Sequence, residues 1–163
     1  MTQHSTHRVV SVVAWVGMDV GTKHGATDAL EGRLTSCGAG AFRTVSVDST
    51  HAYVYKRACW ASQNENEYQA MLTLRADAVM RQYVSPCAIY RMDDGSVVLA
   101  MVYRPMHSYQ VERDERNRFM HDLRDYNERR RAAGESPVAD MHDANWRGTV
   151  KGRAVITDLG FGL

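Results

Sequence analysis

Three polar side chains near the end of the sequence have types and a spacing suited to phosphoryl transfer. Asp140 precedes Asn145 by five positions, and an apolar run after a short polar turn leads directly to Asp158. Transfer of a phosphoryl group needs a carboxylate near the acceptor hydroxyl and hard oxygen ligands for magnesium. A D-x-x-x-x-N loop followed by a strand that ends in D-x-G supplies all three groups, so this stretch is the first candidate for an active site.

An upstream glycine-rich string is suited to hold the phosphates of a nucleotide. Gly38, Gly40 and Phe42 lie in the sequence GAGAFRTV between two predicted strands. Small residues allow backbone amides to approach phosphate oxygens, and an aromatic side chain at the tip can close over them. The same spacing is also typical of an ordinary tight turn. The string therefore indicates a phosphate site only in combination with the other motifs.

A lysine follows in the next predicted strand, YVYKRA, where Lys56 comes after an alternating pattern. A lysine that points inward beyond a glycine loop can pair with the α- and β-phosphates of a nucleotide, whereas at a strand edge it faces water. The next helix offers two acidic partners for this lysine. Ser62 and Glu65 have the spacing of a capping box, which commits Glu65 to the helix terminus. Glu67 is therefore the better candidate to hold Lys56.

The elements that must position these residues follow from hydrophobic periodicity. Val45–Ala58 alternates as a hairpin around Asp48–Thr50, and Cys87–Pro105 contains two apolar runs joined by an Asp94–Gly95 turn. Between the hairpins, a helix is predicted from apolar residues at helical spacing, namely Tyr68, Met71, Leu72 and Val79.

A second helix is predicted at Val111–Ala133, with Gly134 and Pro137 just beyond its end. Its apolar stripe consists of Phe119, Leu123 and Tyr126. The last apolar segment, Arg153–Asp158, is predicted to be a strand. The order of strands, helix, strands, helix and a final hairpin-like pair predicts a single α+β domain.

The composition excludes several classes of protein. A formal net charge of +1 over 163 residues argues against a protein that coats nucleic acid. The three cysteines lie far apart without a CxxC pair, and no HExxH sequence occurs, so we expect no disulfide framework, no structural metal site and a reducing cytoplasm. The apolar segment Arg8–Met18 is too short to span a bilayer and precedes no small-x-small cleavage site, which predicts a core strand or helix in a cytoplasmic protein.

Taken in order, these motifs resemble the protein kinase superfamily. Within it, the chain is similar to the early Ser/Thr protein kinases of short-tailed coliphage-type viruses, which carry a similar D-M-H-x-x-N loop and a similar I-T-D strand end. The segments ADMHDANWRG and VITD match both motifs. The resemblance covers most of the chain, from about Leu34 to Gly160. It implies a compact kinase-like α+β fold, with a small antiparallel-sheet lobe at about 34–106 and a much reduced C-terminal lobe at about 107–163.

The resemblance also implies a role for each matching residue. Asp140 would be the catalytic base, and Asn145 and Asp158 would bind Mg²⁺. Lys56 and Glu67 would form the ion pair that orients the phosphates of ATP. The remaining nucleotide contacts would come from the glycine string and from a hinge segment that meets adenine, namely Gly38, Gly40, Phe42, Met101 and Tyr103.

Some positions depart from the kinase pattern. Val138 stands two positions before Asp140, where protein kinases usually have His, and His142 stands two positions after it, as in many small-molecule kinases of the aminoglycoside type. Arg43 replaces the third glycine of the loop. Three residues follow Gly160, so we expect no activation segment and a peptide-binding platform that is missing, very small or supplied by another chain.

These features favour three functions. The leading one is a viral Ser/Thr protein kinase that transfers the γ-phosphate of ATP to host proteins with the help of Mg²⁺. The second is a catalytically inactive kinase-like protein that binds a host enzyme and inhibits or redirects it, and the third is a small-molecule phosphotransferase. We expect no direct binding to nucleic acid or membrane. We also expect a homodimer, because loss of the later kinase helices would expose apolar faces.

Overall fold

The structure, a computed structural model, describes residues 2–4, 8–16, 30, 33–39, 43–48, 52–138 and 141–159. Over these residues the chain is a mixed α+β protein, which confirms the α+β part of the predicted fold class. The strands are β1 (Thr2–His4), β2 (Val9–Val16), β3 (Arg33–Ala39), β4 (Arg43–Asp48), β5 (Tyr53–Ala58), β6 (Cys87–Met92), β7 (Val97–Val102), β8 (Met106–His107), β9 (Trp146–Gly148) and β10 (Ala154–Ile156). The helices with described bounds are α1 (Ala61–Ala76) and α2 (Arg113–Ala132), with short 3-10 helices at Met80–Tyr83 and Ser108–Gln110.

Seven strands of the described residues form one antiparallel sheet, in the order β1-β3-β4-β5-β7-β6-β2. Strand β4 pairs with β5 and strand β6 pairs with β7, which confirms both predicted hairpins. The β6–β7 turn has Gly95 at a φ of +80°, a conformation that glycine adopts without steric cost. The apolar segment near the start of the chain is strand β2, which lies at one edge of the sheet and pairs with β6.

The two faces of this sheet differ in chemistry. One face holds an aromatic cluster in which Trp15 Nε1 donates a hydrogen bond of 3.1 Å to the hydroxyl of Tyr90. Tyr55 belongs to the same cluster, and burial raises the pKa of its phenol. Because side chains alternate between the faces of a strand, Lys56 lies on the face opposite to Tyr55. The lysine is therefore separated from the aromatic core by the sheet.

Helix α1 departs from the predicted pattern at both ends. It begins at Ala61, which puts Ser62 inside its first turn, and the Glu65 carboxylate pairs with the guanidinium of Arg91, so the predicted capping box is wrong. The helix ends at Ala76, before Val79. Of the predicted apolar stripe, Tyr68 and Met71 are buried, whereas Leu72 and Val79 are exposed and Leu74 is buried in their place.

Helix α2 confirms the predicted stripe, because Phe119, Leu123 and Tyr126 are all buried. The ring of Phe119 lies 5.1 Å from that of Tyr83 and 5.2 Å from that of Trp146, which makes an aromatic core for this part of the chain. Gly134 follows the helix with a φ of +76°, as expected for a glycine just beyond a helix C-terminus.

Strands β8, β9 and β10 form a second, three-stranded sheet within the described residues, in the order β10-β9-β8. Gly148 of β9 allows a close approach of two other segments. A Cβ atom at this position would lie 2.7 Å from Cγ2 of Val111 and 2.9 Å from Cβ of Met106. A side chain there would require the neighbouring segments to move.

The internal contacts divide the chain into two compact units. Unit 1 comprises Met1–Gln69 and Pro86–Tyr103, and unit 2 comprises Ala70–Ser85 and Arg104–Leu163. The lobes expected from the resemblance have their boundary at about residue 106, close to the division between Tyr103 and Arg104. Residues 70–85, however, group with unit 2 and not with the first lobe. Within the described ranges, no helix is both long and apolar enough to cross a bilayer.

Candidate functional site

The structure places Lys56 and Glu67 in contact within unit 1. Strand β5 directs the Lys56 side chain to the face opposite the aromatic cluster, and Glu67 lies on α1 two turns after its start. The Nζ atom of Lys56 is 2.8 Å from Oε1 of Glu67. Lys56 is 5% exposed and Glu67 is fully buried. A buried charge is tolerated when it is paired and hydrogen-bonded, so Lys56 and Glu67 form a compensated ion pair on this face of the sheet.

Arg43 is a third member of this cluster, which the sequence did not predict. Its Nη1 atom donates to Oε2 of Glu67, so each carboxylate oxygen meets one cation. Arg43 is the first residue of β4 and stands where the kinase pattern has its third glycine. That departure from the pattern was the sequence signal for an unusual role at this position.

Asn64 fixes α1 against the strand that carries Lys56. Its Nδ2 atom donates hydrogen bonds to the backbone oxygen of Lys56 at 2.8 Å and to that of Val97 at 2.9 Å. The side chain is fully buried, and its Oδ1 atom is also buried and has no hydrogen-bond partner among the described residues. Asn64 lies one helical turn before Glu67, so the same bonds that hold the helix set the height of the carboxylate.

The glycine string is described only in part. Gly38 lies inside β3, opposite Val45 of β4 and next to a register shift in the pairing. Gly40 and Phe42, which were expected to contact the nucleotide, lie outside the described residues. The predicted strands on both sides of the string are present, since β3 and β4 pair with each other.

The predicted hinge begins inside the sheet. Met101 is buried in β7, between Val54 of β5 and Cys87 of β6. Tyr103 follows the strand, and its backbone N–H donates to the oxygen of Ala52 at 2.9 Å. This donor is therefore engaged within the protein, and a hydrogen bond from it to an adenine would replace an existing one.

In unit 2 the structure brings Asn145 and Asp158 together. The backbone N–H groups of Thr157 and Asp158 both donate to the backbone oxygen of Asn145, at 2.9 Å and 3.0 Å. The N–H of Asn145 in turn donates to the oxygen of His142 at 2.9 Å, which closes a turn just before β9. The two predicted metal ligands are thus adjacent through the backbone, although one precedes β9 and the other follows β10.

The donor set of Asn145 and Asp158 fits a magnesium ion, because carboxylate and amide oxygens are the ligands that this hard cation accepts. Asn145 is 6% exposed and Asp158 is half-buried. The described residues contain no group of three or more His, Cys, Asp and Glu side chains able to hold a metal. An ion bound here would depend on these two oxygens together with water or substrate oxygens.

Asp140, the predicted base, lies outside the described residues, but Ser136 and Val138 shortly before it are hydrogen-bonded to side chains of α2. Asn127 of α2 accepts a hydrogen bond of 2.8 Å from the Val138 N–H and donates one of 3.4 Å to the Val138 oxygen. Arg130, on the same helix, donates to the backbone oxygen of Ser136 at 2.6 Å. Neither Asn127 nor Arg130 could be predicted from the sequence, since a polar side chain on a helix carries no signal for such a contact.

Comparison with other proteins leaves the family of this chain open. No family model matches the sequence, and no curated protein and no solved structure match the chain. Its chemistry must therefore be inferred from its own residues, above all from the Lys56–Glu67 pair in unit 1 and the Asn145–Asp158 pair in unit 2.

Proposed function

We propose that this protein is an ATP- and magnesium-dependent Ser/Thr protein kinase of a virus, which phosphorylates host proteins. The observation that carries the proposal is the buried contact of 2.8 Å between Lys56 and Glu67. A lysine on the second strand after a glycine string, paired with a glutamate on the following helix, is the arrangement that protein kinases require for phosphate orientation. The adjacency of Asn145 and Asp158 supports the proposal independently.

Each residue has a distinct task in the proposed reaction. Lys56 binds the α- and β-phosphates of ATP, and Glu67 holds the lysine in place. Asp140 accepts the proton of the Ser or Thr hydroxyl as that oxygen attacks the γ-phosphorus and the bond to the β-phosphate oxygen breaks. Asn145 and Asp158 hold Mg²⁺, which when bound neutralises charge on the phosphate oxygens.

Transfer of label from radiolabelled ATP to host lysate or to the protein itself tests the proposal. We expect Asp140→Ala to lower the rate by about 100-fold to 10,000-fold, the usual contribution of a general base, and Lys56→Met and Asp158→Ala to abolish transfer. Asp143→Ala is the matched control, because Asp143 is an exposed aspartate in the same loop. No label transfer by the wild type above the Asp140→Ala background would refute the kinase.

Two other results would point to the remaining functions. A host protein that co-purifies with both the wild type and Asp158→Ala, without transfer in either, would indicate an inactive binding protein. Transfer to aminoglycosides or other small alcohols, with none to proteins, would indicate a small-molecule phosphotransferase. A thermal shift with Mg·ATP that is lost in Asp158→Ala would show the Asp158-dependent nucleotide binding that both enzymes require, since a ligand that binds only the folded state raises its stability.

A further inference from the structure

Arg43, Lys56 and Glu67 form a cluster in which one buried carboxylate meets two cations. Oε1 of Glu67 accepts from Lys56 at 2.8 Å, and Oε2 accepts from Nη1 of Arg43. The proposed kinase reaction assigns Lys56 to the phosphates and gives Arg43 no task. We propose that Arg43 is a second phosphate-binding residue, so that the cluster binds an oligophosphate chain between two cations. This inference rests on the proposed function only for the identity of the ligand as a nucleotide.

The pairing of β4 with β5 puts both cations on one face of the sheet. Arg43 lies opposite Ala58 and Val45 lies opposite Lys56, so the two cationic residues are diagonal neighbours on adjacent strands. Diagonal residues on the same face are within reach of each other when their side chains are long. Both side chains extend to Glu67 of α1, which shows that the two cationic groups converge.

Arg43 is the more accessible of the two cations. Its side chain is 16% exposed, against 6% for that of Lys56. A guanidinium presents five N–H groups in a planar fork, so one edge can hold a carboxylate while another binds a phosphate oxygen. Lys56, with a single compact ammonium, remains the deeper contact. A ligand that enters from solvent therefore meets Arg43 first and can span both cations if it carries several phosphates.

Inorganic tripolyphosphate is the direct probe, because it carries the proposed recognition element, a chain of phosphates, without a base, a sugar or a bound metal. Its affinity is measured by calorimetry on the whole protein in magnesium-free buffer. We expect Arg43→Gln to weaken binding about tenfold or more, as expected for a lost hydrogen bond between charged groups. Arg57→Gln is the matched control, because it also removes one positive charge. Arg57 follows Lys56 in β5, so its side chain lies on the face of the sheet opposite to the cluster, where it donates to Ser96 Oγ at 3.1 Å.

A purely structural role for Arg43, neutralisation of Glu67, predicts a different result in a double-mutant cycle. The Arg43→Gln substitution is made in the wild type and in the Glu67→Gln background. If Arg43 binds phosphate, its loss weakens tripolyphosphate binding in both backgrounds. If it acts only through Glu67, the effect disappears once the carboxylate is gone, and the inference is overturned. Arg43→Lys, which keeps the charge without the fork, supplies a folded variant in case Arg43→Gln is unstable, and we expect it to bind with intermediate affinity.

The outcome is separable from that of the kinase proposal. Tripolyphosphate and ATP binding that depend on Arg43, with no phosphoryl transfer, would leave this inference standing and refute the kinase. Transfer that depends on Asp140 and Asp158, with tripolyphosphate and ATP affinities unchanged in Arg43→Gln, would do the reverse. Absence of tripolyphosphate binding by the wild type would also overturn the inference. Adenosine, which lacks phosphates, is expected to bind equally well to the wild type and to Arg43→Gln.

Discussion

At the scale of single residues, Glu67 is the centre of the candidate site. Its carboxylate is fully buried and contacts Lys56 and Arg43. A buried carboxylate is stable only if its charge is compensated, and removal of one partner of such a pair is strongly destabilising. The two cations thus have a structural role in addition to the phosphate binding proposed for them, and any test of function must measure folding in parallel.

Asn64 holds α1 in position against the sheet without contributing a charge, so its replacement tests the position of the helix alone. We predict that Asn64→Leu lowers the free energy of unfolding by about 2 kcal/mol, because it removes two buried hydrogen bonds, from Asn64 Nδ2 to the backbone oxygens of Lys56 and Val97. Denaturant unfolding followed by circular dichroism measures this loss. The control is Asn66→Ala, an exposed position on the same helix, for which we expect a change of less than about 0.5 kcal/mol. Equal effects at the two positions would mean that the Asn64 hydrogen bonds do not hold the helix.

At the scale of elements, helix α2 makes three kinds of contact through different side chains. Phe119 and its neighbours supply the apolar stripe, Asn127 holds the segment that leads to Asp140, and Arg129 binds Asp77. Asp77 also caps the 3-10 helix that follows it, since its Oδ1 atom accepts the N–H groups of Val79 and Met80, both at 2.9 Å. The carboxylate of Asp77 therefore joins two elements of unit 2 that are distant in sequence.

This capping carboxylate predicts a pH dependence of stability. Burial by itself raises the pKa of Asp77, but the N–H groups of Met80 and Val79 and the Arg129 guanidinium lower it by more, so the folded-state pKa lies below the ordinary 3.8. A lowered carboxyl pKa stabilises the folded state fully above about pH 4, and this stabilisation is lost as the pH falls through the folded-state value.

We therefore expect Asp77→Asn to cost about 1 kcal/mol at neutral pH, where the charge contributes to the cap and to the ion pair. The difference between the wild type and the variant should shrink as the pH falls from about 4 through the folded-state pKa of Asp77, below which both side chains are neutral. Urea unfolding at several pH values measures it. A difference that stays constant from pH 7 to the acid limb would contradict a role for the charge.

At the scale of the whole molecule, neither compact unit is a continuous piece of chain. Unit 1 takes Pro86–Tyr103 from beyond the division within α1, and unit 2 takes Ala70–Ser85 from before it. The Ala70–Ser85 segment supplies Leu74, Met80 and Tyr83 to the buried residues. Tyr83 also donates to the Asp122 carboxylate at 2.7 Å. The expected homodimer remains a prediction, for which light scattering at micromolar concentration is the test.

This connectivity predicts how a truncated chain behaves. A fragment of residues 1–103 keeps the Ala70–Ser85 segment, which includes Tyr83. It lacks Phe119, whose ring contacts that of Tyr83, and Trp146, whose ring contacts that of Phe119. We expect the fragment to bind a hydrophobic dye and to aggregate, whereas the full chain does not, because large apolar patches promote association. A fragment that is monomeric and unfolds cooperatively would show that residues 1–103 fold without the rest of unit 2.

Much of the secondary structure could be predicted because the signals act over a few residues. The Asp94–Gly95 turn requires a glycine at positive φ, and the apolar stripe of α2 follows from a period of 3.6 residues. The start of α1 was predicted wrongly, since Glu65 pairs with Arg91 of strand β6 instead of capping its own helix. The predicted cap was also a reason to prefer Glu67 as the partner of Lys56. The contact between Lys56 and Glu67 is present, although that reason for predicting it was wrong.

By itself, then, the sequence determined the two central hairpins, the α2 helix and the residue types available for the proposed phosphate and magnesium contacts. Only the tertiary structure decided which of these residues meet. It put Arg43 on the second oxygen of Glu67, Asn64 on the backbone of Lys56, and the N–H of Asp158 on the oxygen of Asn145. These contacts depend on strand register and on packing between different segments of the chain. A shift of one residue in register would turn Lys56 and Arg43 to the opposite face of the sheet.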